Sequence, residues 1–201
     1  MMKKFTLSFV LIMAGLTAMD SYNNMAHTNN TGAPAGRTGS PGDGASCLAS
    51  GCHSGPSPSG VQSVNFSSDI PQSGYVPGQT YSITVTSTAG GVNKFGFQVS
   101  PQDVSGNQLG TIISTNGEAQ ILSNGKYITH TSVGNIGSGG SKSWTFNWEA
   151  PAMGTGDVTF YGAFNFAGVP LSNPSGDVIK TDDSFVVSEA VSAINEIGTL
   201  G

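Results

Sequence analysis

The sequence predicts an all-β chain folded as a two-sheet antiparallel sandwich behind an irregular N-terminal segment. Three observations carry the prediction. From Val61 onward, apolar residues alternate with polar ones at a period of two, the spacing of strands with one buried face. Turn-forming pairs such as Pro77-Gly78, Gly90-Gly91, Asn116-Gly117 and Asn124-Gly125 cut that region into short runs, and short strands at such spacing favour two packed sheets. Charged residues are only 9% of the 201-residue chain and glycines number 29, a composition that excludes a helical bundle.

The elements follow in chain order. Residues 1–21 read as a secretory signal peptide: Lys3 and Lys4 form a basic start, and Phe5 to Ala18 form an apolar stretch too short to span a membrane comfortably. Residues 22–60 are poor in apolar side chains. The run from Gly32 to Gly44 cannot build a core by itself, so it lies on something else. Residues 61–188 are the sandwich, with strands expected at 61–67, 80–88, 93–101, 109–114, 118–122, 126–132, 142–149, 157–167 and 176–187. Trp144, Phe146 and Trp148 form one buried face, with Thr145 and Asn147 turned the other way. Residues 189–201 are a linker-like tail.

The net charge of −5 and the few basic residues exclude a nucleic-acid binder. The sequence has no G-x-S-x-G elbow, no phosphate-binding loop and no persuasive carboxylate pair, so no enzyme is expected. Asp157, Asp177, Asp182 and Asp183 lie at strand starts or turns, where a solvated or turn-stabilising role is the default. Asp182 and Asp183 lack the ligand spacing of an EF-hand calcium loop.

The chemistry concentrates in Cys47-Leu48-Ala49-Ser50-Gly51-Cys52-His53, which holds both cysteines of the chain. Two thiols ahead of a histidine can attach a c-type haem, the thiols as thioethers and the imidazole as proximal iron ligand. The usual spacing is C-x-x-C-H; here it is C-x4-C-H. In an oxidising compartment the same pair can instead close a disulfide loop. Zinc would need further ligands beside the two thiols, for example His53 and His130. Period-two alternation puts His130 on the face of Ile128, where it is either a hydrogen-bonded sheet histidine or the distal iron ligand opposite His53. His27 and Met153 are the weaker distal candidates.

Several spaced motifs resemble the reeler (reelin N-terminal-like) domain: Pro77-Gly78-Gln79-Thr80-Tyr81, Phe95-Gly96-Phe97-Gln98-Val99, Trp144 to Pro151, and Gly156 to Ala163. The leader Gly32 to Gly39 ahead of the cysteines, and Tyr127-Ile128-Thr129-His130-Thr131, resemble the bacterial choice-of-anchor V branch of that family. The resemblance covers about residues 30–187. It implies an Ig-like, reeler-type sandwich on a secreted or cell-surface protein with no established enzymatic activity. It also implies a tail, Ala193 to Gly198, like the linker before a type IX secretion sorting domain, and a cysteine–histidine arrangement at this point resembling haem attachment. The leading expectation is a haem c protein of extracytoplasmic electron transfer, working with a redox partner through Cys47, Cys52, His53 and His130. The alternative is a non-enzymatic adhesion, matrix- or carbohydrate-binding module with a Cys47–Cys52 disulfide.

Overall fold

A computed structural model describes residues 29–48, 52–53, 55, 61–167, 176–181 and 184–191. The signal peptide, His27, Asp182, Asp183 and the linker tail beyond Val191 lie outside the described residues.

Ten strands follow in order: β1 (Gln62–Ser68), β2 (Thr80–Ala89), β3 (Phe95–Gln102), β4 (Thr111–Ser114), β5 (Ala119–Leu122), β6 (Tyr127–His130), β7 (Ser141–Glu149), β8 (Val158–Phe166), β9 (Val178–Lys180) and β10 (Ser184–Val187). A short 3-10 turn, Ser123–Gly125, joins β5 to β6. One sheet has the order β1-β2-β7-β4; the other has β10-β8-β3-β6-β5, with β9 also on β8. All the strand pairs are antiparallel. The expected strand at 176–187 is two pieces, β9 and β10, both along the same edge of β8 but at opposite ends of it. Among the described residues no helix is long and apolar enough to cross a membrane.

The alternation does what it predicts. Trp144, Phe146 and Trp148 are fully buried, while Thr145 turns outward and shares a hydroxyl hydrogen bond of 2.8 Å with Thr84 across the strand pair. Phe97 stacks on Trp144 with ring centroids 4.4 Å apart. Trp148 meets Phe160 edge-to-face at 5.1 Å and Tyr75 at 5.4 Å. The indole N–H groups find carbonyls, Trp144 on Gly134 at 2.6 Å and Trp148 on Leu109 at 3.0 Å, so neither ring buries an unpaired donor.

β3 departs from simple alternation because all of its residues are buried. Its inner residues Phe95, Phe97 and Val99 join the core. Its outer residues are covered by the N-terminal segment, which lies across the second face of the larger sheet. The cover is held by hydrogen bonds. Gln98 accepts the Arg37 N–H through Oε1 at 2.7 Å and donates through Nε2 to the carbonyls of Pro34 at 2.8 Å and Ala33 at 3.3 Å. The Ala33 N–H donates to Thr129 Oγ1 at 3.1 Å, and Asn135 Nδ2 donates to Asn30. Gln120 donates to the Thr31 carbonyl.

Within the segment, Thr38 and Ser46 pair as an antiparallel bridge that closes a small loop. Asp43 organises it: Oδ2 accepts from both the N–H and the hydroxyl of Thr38, and Oδ1 accepts the Tyr127 hydroxyl of β6 at 2.6 Å. Burial alone would raise the pKa of Asp43, but the hydrogen bonds from Thr38 and Tyr127 outweigh it and hold the carboxyl below its ordinary value. The closed loop delivers Cys47 to the sheet.

Candidate functional site

The segment, β3, β6 and β8 enclose one cleft that brings together all four residues picked from the sequence: Cys47, Cys52, His53 and His130. The cleft opens to solvent, and counted out to that opening it encloses about 770 Å³. Its floor is made of small or apolar residues, among them Ala33, Pro34, Gly96, Ala163 and Ala167.

His53 is positioned by a close crossing of two chain segments. A side chain at Gly55 would stand 1.6 Å from the Asp177 carbonyl, so only glycine lets the chain at position 55 pass directly over Asp177. The crossing places His53 Nδ1 3.1 Å from Asp177 Oδ2, with both side chains largely buried. The contact is within hydrogen-bond distance but off line, and His53 Nδ1 counts as a buried nitrogen without a hydrogen bond. A small rotation of the ring completes the bond. Asn165 Nδ2 of β8 also donates to Asp177 Oδ2 at 3.0 Å. With Nδ1 facing a carboxylate, Nε2 is the nitrogen left for a ligand.

Asp177 corrects the sequence reading of a solvated turn aspartate: it is buried, held by Asn165 and His53. Nothing local marks it, since its partners lie 12 and 124 positions away in the chain (177 − 165 and 177 − 53). Met153 is 75% exposed and does not line the cleft.

His130 departs from its expected face. Ile128 joins the core, but the His130 ring lies over Gly96, whose would-be Cβ stands 2.8 Å from Cε1. The reason is the end of the β3–β6 ladder. Pairing stops at Gln98 and Thr129, and side chains then replace the missing backbone partners. The Phe97 N–H donates to His130 Nδ1 at 3.2 Å, and the Phe97 carbonyl accepts the Thr129 hydroxyl at 2.6 Å. Burial lowers the His130 pKa, against the opposing effect of backbone hydrogen bonds with Phe97 and Asn29. His130 is therefore a neutral ring tied to backbone on both sides. To act as an iron ligand it would have to leave one of these partners.

Both cysteines are free thiols in the structure. Burial, with Cys52 nearby, pushes the Cys47 pKa up to about 12, against a smaller lowering by Arg37. The Cys47 sulfur faces the Arg37 carbonyl at 3.7 Å. Among the described residues no three His, Cys, Asp or Glu side chains are grouped closely enough to hold a metal ion, so the arrangement does not favour zinc.

The residues fit a covalently held porphyrin. Two thiols and an imidazole with a free Nε2 face one cleft over an apolar floor. Two of its lining side chains, Arg37 and Asn165, keep a buried polar atom (Nε and Oδ1) without a hydrogen bond. Buried polar groups are rarely left so, and two in one cleft mark a place where a ligand belongs. Sequence reasoning missed Arg37, Lys94, Asn165 and Asp177. A signal was present for Lys94 alone, as a charge directly before the alternating run of β3.

A family model described as the Reeler domain matches residues 45–165. Among solved structures, the Reelin-N domain of F-spondin superposes with a TM-score of 0.50 at 19% identity, covering 68% of this chain and 92% of that one. The human F-spondin reeler domain gives 0.49 at 18% identity, covering 68% and 95%. No curated protein matches the sequence. The two-sheet architecture and the family match agree, and the chain belongs to the Reeler domain family.

Proposed function

We propose that this Reeler domain is an exported, extracellular protein of the bacterial choice-of-anchor V type, carrying a covalent c-type haem for extracytoplasmic electron transfer. One observation carries the reading: Cys47, Cys52 and His53 converge on a single cleft whose wall leaves buried polar atoms unsatisfied. When bound, such a group supplies a one-electron couple. Cys47 and Cys52 are the attachment points. His53 offers Nε2 because Asp177 faces Nδ1 at 3.1 Å. Ala33, Pro34, Ala163 and Ala167 present apolar surface and limit water. His130 lines the cleft from β6 and would serve as a second iron ligand only by giving up Phe97 or Asn29.

The test is an absorption spectrum and an intact mass of the mature chain, made in cells with cytochrome c maturation machinery. The expected result is a Soret band with the mass of one haem, both lost in Cys47→Ser and Cys52→Ser. A colourless chain without that mass refutes the reading. The second reading is a non-enzymatic surface adhesion or matrix-binding module with a Cys47–Cys52 disulfide. It draws support from Cys52 lying close enough to raise the Cys47 pKa, and it predicts a mass lower by the two thiol hydrogens.

A further inference from the structure

The cleft has two basic side chains in its wall, and the one carboxylate beside them is engaged elsewhere. The described residues hold five cations: Arg37, Lys94, Lys126, Lys142 and Lys180. Lys142 pairs with Glu118 at 2.9 Å. Lys126 donates to the Gly106 carbonyl and sits 5.5 Å above the Tyr127 ring. Arg37 and Lys94 both line the cleft, and neither is in an ion pair among the described residues. Arg37 makes one long side-chain bond, Nη1 to the Gly36 carbonyl at 3.5 Å, and its buried Nε makes none. The one carboxylate lining the cleft, Asp177, is engaged by Asn165 and His53. A half-buried guanidinium with an unused N–H is costly unless an acceptor arrives. In a chain of net charge −5, two such cations at one cleft select an anion, and a guanidinium fork fits a carboxylate.

We propose that Arg37 and Lys94 form a subsite for a pair of carboxylates, those of a porphyrin's propionate arms, at the mouth of the cleft. The identity of the ligand rests on the haem reading; the anion preference rests on the unpaired cations.

The test uses the full chain with free thiols, made without the maturation machinery, titrated with iron-free protoporphyrin IX and with its dimethyl ester. Leaving out iron removes any contribution from His53. The expected result is binding of the diacid at least about tenfold tighter than the ester, with the preference lost in Arg37→Gln and in Lys94→Gln and partly kept in Arg37→Lys. Equal affinity for diacid and ester, or a preference that survives both neutral variants, overturns the subsite, as does failure to bind either compound. If Arg37→Gln fails to fold, Lys94→Gln alone decides. Diacid preference in a chain that never acquires covalent haem would leave the subsite standing and refute the haem reading, so the two failures are separable.

Discussion

Gly96→Ala tests how the wall of the cleft is built. Gly96 has no left-handed φ, so alanine meets no backbone strain, but its Cβ would stand 2.8 Å from His130 Cε1 and 3.3 Å from Nδ1. Two effects oppose. Replacing a strand glycine with alanine stabilises by about 0.5–1 kcal/mol through the unfolded chain. Overpacking a filled site costs about 1–3 kcal/mol. The His130 ring cannot yield freely, because Phe97 holds Nδ1 at 3.2 Å and the ring is 8% exposed. The clash therefore wins, and the net loss is about 1–2 kcal/mol. Thermal unfolding followed by Trp144 and Trp148 fluorescence measures it, with an expected fall in melting temperature of roughly 2–8 °C by the scaling for chains of this size. Gly90→Ala is the control, since nothing lies within 4 Å of its would-be Cβ, and it should be neutral or slightly stabilising. In the double variant Gly96→Ala/His130→Ala the clash disappears, so the two losses should fall short of adding by about 1 kcal/mol or more. Additive losses, or a Gly96→Ala chain as stable as the parent, would show that the ring does not sit where the argument needs it.

Asp177→Asn removes the carboxylate facing His53 Nδ1; in the haem-loaded chain the midpoint potential should rise, because a nearby negative charge favours the oxidised iron, and an unchanged potential rejects the pairing. Tyr127→Phe deletes the 2.6 Å bond to Asp43 and should cost about 1–3 kcal/mol, with faster proteolysis of the 38–46 loop; a stable, uncut loop counts against that anchor. In the free-thiol chain at neutral pH, Cys47, with its pKa pushed up to about 12 by burial, should resist iodoacetamide until urea unfolds the protein; prompt native labelling contradicts its burial. Glu189 accepts the N–H groups of Gly156 and Gly154, which lower its pKa below the ordinary 4.5. A depressed carboxyl pKa contributes stability above the unfolded value and loses it as pH falls through the folded one. The protection of the Gly154 and Gly156 amides, measured against their intrinsic exchange rates, should therefore fall below about pH 4.5, and Glu189→Gln should abolish that pH dependence of protection.

The strands were legible because their information is local. In β2 and β7 each buried residue sits two places from the next, and one pass along the chain finds them. The cysteine–histidine cluster was legible for the same reason. What failed was everything set by pairing across the fold. His130 obeys alternation only as far as the ladder lasts, and where the ladder ends is decided by β3, not by β6. Asp177 reads as a turn residue until the chain near Gly55 crosses it. Arg37 sits in a glycine- and proline-rich run that hides the one guanidinium lining the cleft. The gap between β9 and β10 has no local signature either, since both fragments keep strand-forming residues along one neighbour.

The cover over the second face of the larger sheet is fastened almost wholly by polar bonds, through Gln98, Thr129, Gln120 and Asn135. Beneath it, β3 presents Gln98, Ser100 and Gln102. A hydrophobic lid that lifts exposes a sticky surface and invites aggregation. A lid over amides and hydroxyls does not, because water replaces each lost bond at little net cost. The strap can therefore lift along its polar fastenings without unpacking the aromatic core between the two sheets.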